Sequence, residues 1–232
     1  MSPSPASPSP ASPSPAAQVA VVLSGCGYLD GAEINEAVIS LLALSRAGAQ
    51  VSVYAPDKEQ MHVVDHLSGE PVPGERRNVL HESARITRGK IAPLAQLDPT
   101  AFDALFLPGG FGVAKNLSTF AVKGTAGQVE PELARVVAAF HTAGKPIGAV
   151  CISPAVLVMA LHQGTVTIGS DPGTAAAIEA MGGTHVACPV RQAVIDRAGK
   201  LVTAPAYMED ASLADIAAGI ERAVAATLEM VG

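Results

Sequence analysis

A chain of 232 residues with few aromatics and no tryptophan has the length of one large domain or two small ones, and a core of Ala, Val, Leu and Ile, as in sheets covered by helices. Its net charge of -6 argues against nucleic acid as the main partner, and no apolar run approaches the ~20 residues needed to cross a bilayer. Three cysteines without paired spacing exclude a disulfide framework and point to a reducing cytoplasm.

Residues 2 to 17 repeat Ser-Pro and Ala-Ser-Pro and carry no charge. Such sequence buries too little surface to order itself, so residues 1–17 are expected to form a disordered tail and residues 18–232 the folded domain. The basic start and apolar core of a signal peptide and the arginines of a mitochondrial presequence are both missing, which again predicts a cytoplasmic protein. From Gln18 the pattern turns regular. Val19 to Leu23 reads as a buried strand, Ser24-Gly-Cys-Gly-Tyr28 as a glycine-rich turn, and Asp30 as the N-cap of a helix through Ala47. Gln50 to Ala55 completes a right-handed βαβ unit. The stretch from Pro56 to Pro93 holds a Gly/Pro-rich segment and then Glu75 to Arg85, a helical turn or two with arginines on a solvated face.

Phe102 to Leu107 is the next strand, running into Pro108-Gly-Gly-Phe-Gly112, and Pro131 to Ala143 is an amphipathic helix. Lys145-Pro-Ile-Gly-Ala-Val-Cys151-Ile-Ser-Pro154, followed by the apolar run Ala155 to Leu161, predicts strand, sharp turn and helix with Cys151 at the corner. Further on come a strand at Val166 to Ile168, a helix at Thr174 to Met181, and a strand at His185 to Cys188. A hairpin over 193–203 turning at Ala198-Gly199 and a helix from Leu213 to Val231 complete the chain. Strands alternating with helices predict a three-layer α/β/α sandwich of one domain.

Chemistry concentrates at three loops leaving the carboxyl ends of strands, where an open α/β sheet binds its ligand. A cysteine at a strand-to-helix corner faces the first unpaired N–H groups of the helix, which favour a thiolate. Gly109 and Gly110 let a backbone N–H approach a substrate without a Cβ in the way, so the N–H groups of Gly110 and Ile152 are candidates for an oxyanion hole. Asn116, at the end of that loop, is a further substrate-binding candidate. Glu33 and Glu36, three apart at the start of the first helix, share a face. A carboxylate buried beside a thiolate is costly, so one of them must hold a proton, and a protonated Glu36 donating to the Cys151 sulfur can act as general acid and base. Cys26, in the turn after the first strand, is either a packing residue or a resolving thiol for Cys151. No His/Cys/Asp cluster shows metal-ligand spacing, so no metal is expected.

Gly31-Ala-Glu-Ile-Asn-Glu-Ala-Val38, Leu107-Pro-Gly-Gly110, Lys115-Asn-Leu-Ser118 and Ala149-Val-Cys-Ile-Ser-Pro154 together resemble the DJ-1/PfpI superfamily. Leu23-Ser-Gly-Cys-Gly27, Ala55-Pro-Asp-Lys58, Arg76-Arg-Asn-Val79, Ala84-Arg-Ile-Thr-Arg-Gly89, Gly109-Gly-Phe-Gly112 and Pro205-Ala-Tyr-Met208 are similar to its enhancing-lycopene-biosynthesis (ElbB, or ES1) branch. The resemblance runs from about Gln18 to the C-terminus. It implies a flavodoxin-like, class I glutamine amidotransferase-like sandwich with the cysteine on a nucleophile elbow, Glu36 as its acidic partner, and a homodimer. It also implies a cofactor-independent glyoxalase turning glyoxal into glycolate; related members are described as protein deglycases, and the branch name implies a genetic link to isoprenoid production. Ile152 stands where peptidase-like members carry histidine, Thr167 to Asp171 offers none after the next strand, and no His-x-Glu follows as in glutamine amidotransferases. Peptidase and glutaminase activities are therefore not expected. The competing reading is a redox or stress sensor, or chaperone, whose Cys151 is oxidised under stress.

Overall fold

In the computed structural model, which describes residues 16–231, the chain begins its first strand at Gln18; the expected tail lies, through residue 15, outside the described residues. β1 (Gln18–Val22), α1 (Ile34–Arg46) and β2 (Gln50–Ala55) form the anticipated βαβ unit, and α2 (Val79–Thr87) and β3 (Ala92–Pro93) follow. β4 (Ala104–Leu107) opens into the short helices α3 (Phe111–Lys115) and α4 (Phe120–Lys123), then α5 (Pro131–Thr142). β5 (Ile147–Val150) turns directly into α6 (Ser153–Leu161). The rest is β6 (Thr165–Val166), α7 (Pro172–Ala180), β7 (Thr184–His185), β8 (Val194–Asp196), β9 (Leu201–Ala204) and α8 (Leu213–Glu229).

Seven strands make one sheet in the order β3-β2-β1-β4-β5-β9-β8, parallel except for the β8–β9 hairpin. Val19 pairs with Val51 on one side and Ala104 on the other; Leu105 pairs with Ile147, and Ile147 with Leu201. The central strands are uniformly apolar because both faces are covered. Ala20, Val22, Leu105, Leu107, Ile147 and Leu201 pack with Leu133, Val137 and Phe140 of α5 and Val156 and Leu157 of α6. On the other face, Val19, Val21, Phe106, Val150 and Val202 pack with Ala37 and Leu44 of α1 and Ile216, Ile220 and Ala223 of α8. This is the three-layer α/β/α sandwich that the alternation of elements predicts. No helix among the described residues is long and apolar enough to cross a membrane.

The strand order reverses at β1. The chain winds outward from β1 through β2 to β3, then returns to place β4 and later strands on the opposite side. Loops leaving the carboxyl ends of β1 and β4 therefore diverge and leave a crevice, the usual ligand position in such sheets. The loop after β5 lies next to it.

Two local expectations are corrected. The first helix starts at Ile34 with Glu33 as its cap, because the Asp30 carboxylate is engaged by the Val64 N–H at 2.8 Å. The strands foreseen at 166–168 and 185–188 shrink to Thr165–Val166 and Thr184–His185, paired in a separate two-stranded sheet. Side chains take the neighbouring ladder donors: Thr167 N–H bonds Thr203 Oγ1, and Ile168 N–H bonds His185 Nε2.

Gly148, central in β5, decides how closely the layers approach. A Cβ there would lie 2.4 Å from Phe106 Cδ2 and 2.6 Å from Thr227 Oγ1 of α8. Gly148→Ala is expected to cost about 1–3 kcal/mol through overpacking, read as a lower urea midpoint with unchanged slope; an unchanged midpoint would show that α8 yields freely.

Candidate functional site

Cys151 and Ile152 form the turn between the end of β5 and the start of α6, and Cys151 sits at φ 61°, a left-handed conformation that an L-residue with a Cβ adopts only under constraint. Two hydrogen bonds hold the corner. The Cys151 N–H donates to Ala204 O at 3.0 Å, and the buried Ser153 hydroxyl donates to Pro108 O at 2.7 Å, tying the corner to the loop after β4. The consequence is a thiol at the crevice, with the Gly110 and Ile152 N–H groups near enough to its sulfur to favour the anion. These are the two donors read from the sequence as an oxyanion hole.

Glu36 comes from the first turn of α1 and has no exposed surface. Its Oε2 accepts the Gly109 N–H at 2.9 Å, its Oε1 accepts the Tyr207 N–H at 3.1 Å, and its carboxyl lies beside the Cys151 thiol. Burial pushes the Glu36 carboxyl up to about 7, with the two N–H groups and the thiol opposing and the neighbouring Glu33 charge adding to the rise. Gly109 is obligatory here: a Cβ would fall 2.4 Å from Cys151 Cβ and 2.7 Å from Glu36 Oε2. Gly110 adopts φ 100°, and a Cβ on it would meet Glu33 N at 2.3 Å.

The thiolate that the corner favours is opposed by this surrounding. Burial first, and the Glu36 charge second, hold the Cys151 thiol well above its ordinary range, outweighing the Gly110 and Ile152 N–H groups. Thiol and carboxyl thus compete for protons as one coupled pair. Protonation of Glu36 removes one of the two influences that hold the thiol up, while burial remains.

Cys151 opens into a cavity of about 160 Å³ lined by Tyr28, Glu33, Gly110, Phe111, Ile152, Tyr207 and Met208. Glu33 caps α1, its Oε2 accepting the Glu36 N–H at 2.6 Å, and its own N–H donates to Gly109 O at 2.9 Å. Asn116 is not brought to this cavity. It is buried, its Nδ2 donating to Ser24 O and Asp30 O at 2.9 and 2.8 Å and its Oδ1 accepting the Met61 N–H at 3.0 Å, so it clamps three loops together instead. Cys26 also lies outside the lining; burial pushes its thiol up, and its charged neighbours are Glu82, Arg85, Asp30 and Arg77. None of the six histidines lines the cavity.

Sequence reasoning missed Tyr207, Tyr28, Phe111 and Met208. The Tyr207 N–H reaches Glu36 because Ala206 takes φ 47° after β9, and alanine does not advertise such a turn as glycine would. Tyr28 and Phe111 are joined by the Phe111 N–H donating to Tyr28 O at 2.7 Å, a link between the β1 and β4 loops with no signature in spacing.

A mostly parallel, doubly wound sheet with helices on both faces is the architecture of the class I glutamine amidotransferase-like sandwiches. The sequence model of the DJ-1/PfpI family matches residues 22–214, and the chain belongs to that family. It is 50% identical over 225 residues to "Glutamine amidotransferase-like class 1 domain-containing protein 3, mitochondrial" of Homo sapiens, covering 93% of this chain and 84% of that protein. It is 49% identical to "ES1 protein homolog, mitochondrial" of Rattus norvegicus, covering 93% and 85%. Among solved structures, an isoprenoid biosynthesis protein with an amidotransferase-like domain from Ehrlichia chaffeensis superposes with a TM-score of 0.88 at 42% identity, covering 94% of this chain and all of that one. The ES1 resemblance read from the sequence is thereby borne out. The cytoplasmic placement is overturned, because both mammalian relatives carry a mitochondrial designation. An odd set of free thiols argues for a reducing compartment without saying which one.

Glu36 makes stability depend on pH. Its carboxyl titrates near 7 in the folded chain and near 4.5 when exposed, so between those values the folded state binds the extra proton and stability falls as pH rises. The loss amounts to about 3 kcal/mol between pH 4.5 and pH 8. Urea unfolding across this range should show the decline in wild type and its absence in Glu36→Gln; parallel curves would mean that Glu36 titrates normally.

Proposed function

We propose that the chain is a cofactor-independent glyoxalase that converts glyoxal to glycolate, with Cys151 as nucleophile and Glu36 as general acid and base. The observation that carries this reading is the buried Glu36 carboxyl, pushed up to about 7 and placed beside a sulfur whose anion the Gly110 and Ile152 N–H groups favour. A group titrating near the working pH is suited both to take and to return protons.

The steps balance without a cofactor. Ionised Glu36 takes the thiol proton as the sulfur adds to one aldehyde carbon of glyoxal; the oxygen formed there is held by the two N–H groups and takes the proton back, giving a hemithioacetal. Glu36 then removes the carbinol C–H proton and returns it to the adjacent carbon through an enediol, while the hydroxyl proton passes from the first oxygen to the second. The product is a glycolyl thioester on Cys151. Water cleaves it to glycolate and restores the thiol. Addition to an aldehyde expels no amine, so the absence of histidine from the cavity lining does not obstruct the route.

The sensor reading calls for an exposed thiol of low pKa. Cys151 is 7% exposed and its thiol is pushed up, which favours the enzyme. The isoprenoid designation of the Ehrlichia protein supplies no chemical step for this site.

Glycolate formation from glyoxal, in buffer free of amines and thiols, is expected from wild type, to vanish in Cys151→Ser, and to fall by about 10²–10⁴-fold in Glu36→Gln. With Glu36 as the base, kcat/KM should climb as pH rises through about 7. Glycolate formation surviving in Cys151→Ser would overturn the reading.

A further inference from the structure

The proposed route leaves one step without a group to drive it: the attack of water on the thioester. Glu36 is poorly placed for that task. It has no exposed surface, and its two oxygens are occupied by the Tyr207 and Gly109 N–H groups, with the Cys151 sulfur, the atom that carries the acyl group, as its third partner. A water entering the cavity meets a different carboxylate. Among the described residues that line it, Glu33 is the one with a carboxyl group.

Glu33 is also fixed in place. The Glu36 N–H donates to its Oε2 at 2.6 Å, and its backbone N–H holds Gly109 O at 2.9 Å, so the residue is tied both to α1 and to the loop that supplies the Gly110 N–H. It is half-buried, and burial raises its carboxyl, against two backbone N–H groups of Asn35 and Glu36 that lower it. A raised carboxyl is a stronger base than a free one.

We propose that Glu33 is the general base of deacylation, dividing the proton work between two carboxylates: Glu36 moves protons during isomerisation, and Glu33 activates the water that releases glycolate. In that step the water gives one proton to the Glu33 carboxylate as its oxygen bonds to the thioester carbon. The carbonyl oxygen takes the charge under the Gly110 and Ile152 N–H groups. The C–S bond then breaks, the electron pair leaves with sulfur, and the sulfur takes the Glu33 proton, so the resting thiol returns and glycolic acid departs, releasing its carboxyl proton to solvent as glycolate.

The inference rests on the glyoxalase reading, and the experiment separates the two. Glu33→Gln keeps a side-chain oxygen to cap α1 while losing the base. Wild type and variant are mixed with glyoxal and passed through a desalting column to remove free glyoxal and reversible hemithioacetal. Adduct on Cys151 is then read by intact mass and by release of glycolohydroxamate with hydroxylamine, a nucleophile that needs no general base. Steady-state turnover of Glu33→Gln is expected to fall about 10²-fold or more while a hydroxylamine-labile adduct builds up to near one per chain, absent from wild type. Wild-type turnover in the variant, or lost turnover with no thioester, overturns the role of Glu33 and leaves the glyoxalase intact. Absence of glycolate from wild type sinks the underlying reading as well. If Glu33→Gln fails to fold, Glu33→Ser, which caps the helix with a shorter acceptor, is read the same way.

Discussion

The arrangement depends on a carboxyl group with no exposed surface, held by two backbone N–H groups from the loops after β4 and β9 and placed beside a thiol. Burying an unpaired carboxylate is costly, and here the cost is met by the Gly109 and Tyr207 N–H groups and by a proton kept up to about pH 7. Neither donor is incidental. Gly109 brings its N–H in because it lacks a Cβ, and Tyr207 because Ala206 takes a left-handed turn after β9. The Cys151 corner is left-handed too, so two strained non-glycine residues flank one buried acid. Strain of that kind persists where surrounding packing overdetermines the backbone.

The topology explains why these pieces meet. Glu36 follows β1, Gly109 and Gly110 follow β4, Cys151 follows β5, and Tyr207 follows β9, four neighbouring parallel strands whose carboxyl ends share one edge. Reversal of winding at β1 keeps that edge open between the β1 and β4 loops. Tight layers fix the heights of the strands relative to one another; Gly148 is part of that fit, lying between Phe106 and α8. Asn116 serves the same end from outside the cavity, joining the β1 loop, the 61 region and the β4 loop through one buried amide.

What the sequence revealed, and what it concealed, follows from the range of each interaction. Apolar runs, Pro and Gly positions and a cysteine at a corner are local, and they placed every strand of the main sheet but the two-residue β3, along with Cys151, Glu36 and the two donors. The Glu33 cap was hidden because Asp30 is the better local candidate by residue type; only the distant Val64 N–H, which engages Asp30, decides against it. The aromatic wall of the cavity was hidden because Tyr28, Phe111 and Tyr207 come from three loops with no common period. The pull of a helix N-terminus on a thiol was legible, but the depth of burial that overrides it is a property of the packed sheet.

That override narrows the chemistry. A standing thiolate with an imidazolium beside it suits acyl transfer from amides, where the leaving amine must be protonated as the bond breaks. Here no histidine lines the cavity, and burial and the Glu36 charge push the Cys151 thiol up. In the proposed route one proton shuttles between sulfur, carboxyl and substrate with no net charge change inside the protein, which suits a carboxyl that has no exposed surface. Addition to an aldehyde followed by a proton shift between adjacent carbons needs no more than this. In the proposed route, release of the acyl group does, because it brings in water, and the carboxylate on the cavity wall is the half-buried Glu33 and not the enclosed Glu36. Two carboxylates three residues apart on α1 are thus set in different surroundings, one sealed behind the sulfur and one open to the substrate side, and different surroundings are what give two identical side chains different work.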